Sequence, residues 1–410
     1  MKPEIQQRIE QIRRGEAPEG YKKTKVGIVP KEWNETRLST CIQEYTEKNT
    51  ISNQYPILTS ARRGLMLQKD YYANRQVTTD NNIGYNIIPY GYVTFRSRSD
   101  DGKFKFNENK IVEKGIISYF YPVFSFSENV CHDYMLYLLN ETIYRYIYPY
   151  IEGTAQQVLS IRKLKELKYC LPPLPEQRRI AEVLATQDRI IELKEKLLVE
   201  KINRKKYLMQ QLLTGKKRVK EEALKWKKMK AKEIFESISD KSHHGTLEVL
   251  SATQDRGIIP RNQVDIDIKY NENSLPSYKK VKRGNFVISL RSFQGGIEYS
   301  EYEGIVSPAY TVLTNKIPIC NDYYKYYFKS TLYINRLQIA VYGIRDGKQI
   351  GYNDFGAIEL FYPPLAEQRA IAEILSAADR EIELLQKSIE EEKLKKKSLM
   401  QLLLTGIVRV

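Results

Sequence analysis

The chain has 410 residues, with 66 Lys and Arg against 50 Asp and Glu, a formal charge of +16 and 42% apolar residues. That length predicts more than one domain, and that composition predicts a soluble protein with a true core. No apolar run is long enough to span a bilayer, and residues 1–20 are polar with no secretory leader pattern, so a cytoplasmic protein is expected. The four cysteines, Cys41, Cys131, Cys170 and Cys320, are widely spaced, which speaks against a disulfide framework or a zinc ribbon.

Residues 1–20 are charge-balanced, and a short helix-like block runs from Ile5 to Arg14. The surplus is +6 over 21–171, +6 over 172–219, +4 over 220–362 and zero over 363–410. Basicity spread along a chain suits a polyanion held on an extended surface, and equally a merely soluble basic protein.

Residues 21–171 and 220–362 share a faint likeness. Trp33 and Trp226 open them, and Leu58-Thr59-Ser60-Ala61 and Leu250-Ser251-Ala252-Thr253 both lead into Arg-Gly. Gly115-Ile116-Ile117-Ser118 answers Gly304-Ile305-Val306-Ser307. Short β-rich runs broken by Gly, Asn and Asp, with helical stretches near 132–147 and 321–340, predict two mixed α/β domains.

The intervening block is repeated openly. Residues 172–219 and 363–410 align without a gap and are identical at 28 of 48 positions. Pro172-Pro173 and Pro363-Pro364 stand where a helix begins, and Gly215 and Gly406 stand where it must stop. Leu184, Ile191, Leu198 and Leu212 fall on heptad steps, as do Leu375, Ile382, Ile389 and Leu403. Lys205 and Lys396 interrupt the two stripes at the same place, and Asp188, Glu195 and Lys393 dilute them. The simplest reading is two long helices packed on each other, the alternative being two separate amphipathic helices on separate cores.

Catalytic signatures fail one by one. No Gly-Lys pair continues as a Walker loop, and neither Pro-Pro pair carries the flanking residues of an adenine methyltransferase. Glu166-Leu167-Lys168 and Glu192-Leu193-Lys194 are ordinary in lysine-rich amphipathic stretches. Cys131 and His132 are sequence neighbours that point apart, and His243-His244 reads as a solvated turn. The 31 tyrosines, clustered at Tyr144–Tyr148 and Tyr323–Tyr327, could stack on bases but read better as core.

A Pro-Pro-Leu-x-Glu-Gln-Arg-x-Ile-Ala-Glu start, a long helix and a Leu-Leu-Thr-Gly exit, twice around two dissimilar domains, closely resembles the specificity (S) subunits of Type I restriction–modification systems. The resemblance covers essentially the whole chain. It implies an α+β fold: two target recognition domains, 21–171 and 220–362, joined by helical spacers 172–219 and 363–410. The spacers would form an antiparallel coiled-coil-like pair with pseudo-two-fold symmetry, residues 1–20 being an added N-terminal segment. It further implies a non-catalytic subunit in which each domain reads half of a bipartite duplex DNA target. The helices would set the spacing and dock methyltransferase (M) subunits, with restriction (R) subunits joining through the complex. S-adenosylmethionine, ATP and Mg would belong to those partners, so neither cofactor nor metal is expected on this chain. A stand-alone DNA-binding adaptor or a structural coiled-coil scaffold are the alternatives.

Expected base and phosphate contacts are Arg62, Arg63, Arg96, Arg98 and Lys103 in the first domain. Gln254, Arg256, Arg291, Gln294, Arg345 and Lys348 are expected in the second. Arginine and glutamine can bond guanine and adenine edges bidentately, whereas the lysines suit phosphates. Glu176, Gln177 and Arg178, with Glu367, Gln368 and Arg369, are candidates for partner contact or for structure at the helix starts.

Overall fold

The computed structural model describes residues 3–72, 81–153, 156–219, 225–243, 246–264, 272–290, 292, 296–341 and 350–410. The chain forms two compact units, Met1–Leu193 with Ile389–Val410, and Lys194–Ser388. The expected linear segments are therefore regrouped: each globular segment packs with one half of each long helix.

Three helices matter most: α1 (Pro3–Arg13), α2 (Leu174–Leu212) and α3 (Leu365–Leu403). At 39 residues each, α2 and α3 are about 58 Å long at about 1.5 Å per residue. Each begins just after its Pro-Pro pair and ends before Gly215 or Gly406, both at positive φ (71° and 73°). A side chain at either glycine would be strained in backbone and would also press on Trp226 in one case, or on Pro30 and Trp33 in the other.

In each unit the two helices run antiparallel. In the first, Gln187 donates to Glu392 (2.7 Å) and Lys396 pairs with Asp188 (2.6 Å). In the second, Lys194 bonds Ser388 (2.8 Å), Lys201 pairs with Glu381 (2.9 Å), and Lys205 pairs with Asp379. The residues that spoiled the heptads are thus complementary. Lys396 answers Asp188, and Lys205 answers Asp379, its equivalent one repeat later.

The globular parts share one strand plan. The first has a four-stranded antiparallel sheet ordered Phe106–Glu108, Val93–Phe95, Val123–Phe126, Ile42–Tyr45. The second repeats it as Glu298–Tyr299, Phe286–Ile288, Thr311–Asn315, Phe235–Ile238. The hairpin Leu58–Ala61/Gly64–Leu67 corresponds to Leu250–Thr253/Gly257–Pro260. Gly115 and Gly304 recur because a Cβ there would meet Leu58 (2.5 Å) and Leu250 (2.8 Å), so the hairpin lies directly on that backbone.

Each core joins sheet to helix. In the first unit Phe95, Phe124, Tyr134 and Leu138 pack with Ile180, Leu184 and Leu403. In the second, Phe235, Phe286, Tyr324 and Tyr327 pack with Leu212, Ile371 and Leu375. Tyr323, Tyr324, Tyr326 and Tyr327 are all buried, which makes this cluster core rather than a stacking platform. The N-terminal segment pads the first unit: Arg8 donates to the Ile407 carbonyl (3.1 Å), and Ile9 and Ile12 face Leu402 and Ile407 across a small cleft.

Candidate DNA-recognition faces and their joints

The starts of α2 and α3 are built identically. Glu176 is buried and accepts from Arg409 (2.5 and 2.9 Å) and from the Trp33 indole (3.3 Å). Glu367 is buried and accepts from Arg218 (2.7 Å twice) and from the Trp226 indole (2.8 Å). Burial alone would raise the Glu367 carboxyl, but the bonds from Arg218 and Trp226 prevail and hold it below the ordinary range. Gln177 donates back to the Pro172 carbonyl (2.9 Å), in the chain that leads into the helix, and accepts from the Cys131 N–H (2.8 Å). Gln368 does the same with Pro363 (2.9 Å) and Cys320 (2.9 Å). These four side chains are spent inside the joint, so the structural reading of the Glu-Gln pairs is the one their geometry favours. Arg178 and Arg369, beside them, are exposed.

A second joint also recurs. Tyr137 donates to Asp188 (2.7 Å) while Lys396 lies over its ring (5.5 Å). Tyr326 donates to Asp379 (2.7 Å) with Lys205 over its ring (5.4 Å). Burial, with the neighbouring carboxylate, pushes both phenols well up. Each globular part is thereby tied to its helices at two points by a neutral indole or phenol donating to a carboxylate that a cation of the helical repeat also holds.

The outward loops carry the expected cations of the first domain together. Arg62 and Arg63 are exposed on the hairpin turn, and Arg62 reaches Asp101 (2.6 Å) in the loop that presents Lys103. Arg96 and Arg98 are exposed and line one cleft of about 560 Å³ with Thr59, Gln68, Asn81 and Gln156. Arg98 sits on a strand paired with Gln157–Val158, so its base is fixed. In the second domain Gln254 and Arg256 occupy the equivalent hairpin turn, exposed, with Arg256 bonded to the Gln263 carbonyl (3.2 Å). Arg291, Gln294, Arg345 and Lys348 lie outside the described residues, as does His244.

The sequence reading missed the aromatic rim of the first cleft, Tyr85, Tyr119 and Phe120, because rings in a turn look like misplaced core. It also missed a trio of metal-ligand type. Donor atoms of Glu108, His132 and Asp133 lie within 4.8 Å of one another, but Lys110 (2.8 Å) already supplies Glu108 with a cation. Among the described residues no helix is long and apolar enough to cross a membrane.

Comparison with known proteins fits this doubled plan. The profile of the type I restriction modification DNA specificity domain matches residues 22–204 and again 223–393. A chain of Methanocaldococcus jannaschii, named as the specificity subunit of type I restriction enzyme MjaX, is 26% identical over 439 residues, covering 96% of this chain and 97% of that one. Two solved structures show the same fold. The S subunit of a type I restriction–modification system from M. genitalium has a TM-score of 0.52 at 13% identity, covering 90% of this chain and 96% of that one. A chain from a structure bearing on complex assembly and conformational transition of the type I R-M system has 0.55 at 16%, covering 93% and 99%. With the DNA specificity domain present twice over most of its length, the chain belongs to the family of type I restriction–modification specificity subunits.

Proposed function

We propose that each globular part reads one half of a bipartite duplex DNA target, and that α2 and α3 set the distance between the halves. The observation that carries this is the twin joint. Two modules of one strand plan are fixed to equivalent stretches of the long helices by the same Trp–Glu–Arg and Tyr–Asp–Lys contacts, while their outward loops differ in sequence. Arg62, Arg63, Arg96, Arg98 and Lys103 would serve the first half-site, and Gln254 and Arg256, with Arg291, Gln294, Arg345 and Lys348, the second. Phosphate contacts would supply affinity and steering, and base-edge contacts the sequence.

The chain would work without chemistry of its own. Methyl transfer from S-adenosylmethionine and ATP-driven steps would fall to methyltransferase and restriction subunits, in a cytoplasmic complex. Exposed apolar side chains on the long helices, Leu193 and Leu394 in one unit and Val199, Tyr207 and Leu384 in the other, support docking of the methyltransferase subunits there. Arg178 and Arg369 would flank that surface.

The test is exchange of 220–362 for the equivalent segment of a relative, followed by methylome sequencing of a host carrying the complex. One half of the methylated sequence is expected to change and the other to stay. A change in both halves would refute independent reading. Binding should also weaken with salt, log K falling against log salt with a slope of roughly −4 to −5 if about five phosphates are neutralised.

A further inference from the structure

Between the strands Lys114–Ile117 and Val123–Phe126, the first domain reverses direction at Ser118–Tyr121, closed by a bond from the Tyr121 N–H to the Ser118 carbonyl (2.9 Å). The two central residues of this β-turn are Tyr119 and Phe120, which are 59% and 36% exposed. Turn tips are ordinarily Gly, Asn, Asp, Ser or Pro, because rings there gain nothing from the core.

These rings are held firmly. Ser97 donates to the Phe120 carbonyl twice, through its N–H (3.3 Å) and its hydroxyl (2.6 Å). The rings of Tyr119 and Phe120 lie 4.2 Å apart, tilted at 42°. The Arg98 guanidinium stands 4.4 Å from the Phe120 ring, and Tyr85 braces Tyr119 edge-on at 6.4 Å. Exposed aromatics fixed in this way have already lost the freedom that binding would otherwise cost them. They form the rim of the cleft that also presents Arg96 and Arg98.

The second domain is an internal control. It makes the same turn, with the Tyr310 N–H bonded to the Ser307 carbonyl (3.0 Å), but its central residues are Pro308 and Ala309. The backbone is repeated and the rings are not.

We propose that Tyr119 and Phe120 are an aromatic wedge that unstacks one base step in the half-site read by the first domain, with Arg96 and Arg98 on the flanking phosphates. The second domain reads its half-site without a wedge. The inference rests on the DNA-reading function above and adds to it a deformation of one half-site only. Stacking of a base on a ring partly replaces the base–base stacking that is lost. The exchange is easiest at flexible pyrimidine–purine steps, so the wedge adds selectivity for such a step without a hydrogen bond to any base.

The experiment uses the full chain with its methyltransferase subunits and a duplex carrying the target found by methylome sequencing. 2-Aminopurine is placed singly through both half-sites, leaving out the methylated bases and their immediate neighbours, which a methyltransferase unstacks by flipping its target. The expected result is a severalfold rise in fluorescence at one step of the first half-site and none in the second. Tyr119→Pro with Phe120→Ala, which installs the second domain's turn tip, should abolish the rise and weaken binding about tenfold. Phe120→Ala alone should lower it, and Phe120→Tyr should retain it. Specific footprints over both half-sites with no rise in the wild type would overturn the wedge and leave the DNA reading intact. Absence of any sequence-specific binding would overturn both. If the double variant keeps the rise but loses its methyltransferase subunits, the rings belong to a protein contact and the wedge falls.

Discussion

The two globular parts differ most where they face outward and least where they meet the long helices. At the joints the correspondence is atom for atom: Trp33, Glu176 and Arg409 in one, Trp226, Glu367 and Arg218 in the other. At the outward turns it is only of backbone, with Tyr119-Phe120 in one and Pro308-Ala309 in the other. A buried carboxylate has few alternatives once an indole and a guanidinium surround it, because losing any partner leaves the others unsatisfied. A loop in water carries no such debt. The joint therefore fixes how a reading head is held, and the loops are free to fix what it reads.

The largest way to break this comparison leaves both heads intact and alters what lies between them. Seven residues inserted after Leu198 and seven after Leu384, which face each other between the Lys194–Ser388 and Lys201–Glu381 contacts, add two full turns to each helix. Seven is the heptad step, so the seam is preserved, and the added length is about 10 Å. With base pairs stacked about 3.4 Å apart, the spacer between unchanged half-sites should grow by about three base pairs. Methylome sequencing reads this directly, and an unaltered spacer would show that the helices are not the ruler.

A joint should fail alone. Glu367→Ala removes the acceptor of Arg218 and Trp226 together and should destabilise the second unit by about 2–4 kcal/mol, some of it softened because Arg218 is partly exposed. Amide protection should fall in Lys194–Ser388 and persist around Trp33 and Glu176. Uniform loss across both units would mean that the chain unfolds as one block.

Much of this was legible beforehand. The repeat, the prolines and the terminal glycines placed both helices, and the Gly115 and Gly304 segments aligned the two domains, because such signals are local in sequence. What escaped is pairing at long range. Asp188 and Lys396 looked like two flaws in separate heptads and are one ion pair (2.6 Å). Arg409 looked like a trailing repeat and is the partner of Glu176. That Arg62, Arg63, Arg96, Arg98, Lys103, Gln254 and Arg256 are exposed was legible, as charge and amide side chains beside Gly and Asp announce solvent-facing chain, but the rings of Tyr119 and Phe120 follow no charge or period that would announce them.

The smallest effect concerns a single sheet position where the domains made opposite choices. Aligning the sheets by Thr94 with Val287, each opposite a valine of the next strand, puts Asn107 and Glu298 at the same place. Both are buried and both tie the sheet to the hairpin. Asn107 donates to Ser60 (2.8 Å) and to the Ala61 carbonyl (2.9 Å). Glu298 instead binds Lys329 (2.7 Å), which reaches the Gln254 carbonyl (3.1 Å). Burial raises the Glu298 carboxyl against the pull of Lys329, with Asp255 adding slightly, to about 7. In the unfolded chain it titrates near 4.5. The folded state thus holds the proton more tightly, so this group's stabilisation is complete below about pH 4.5 and is lost as pH rises through 7. Between pH 5 and 8 the wild type should lose about 1–3 kcal/mol of second-unit stability relative to Glu298→Gln. Asn107→Asp should import the same pH dependence into the first unit. Denaturant unfolding at several pH values decides it: parallel pH profiles for wild type and Glu298→Gln would mean that Lys329 compensates the buried carboxylate fully.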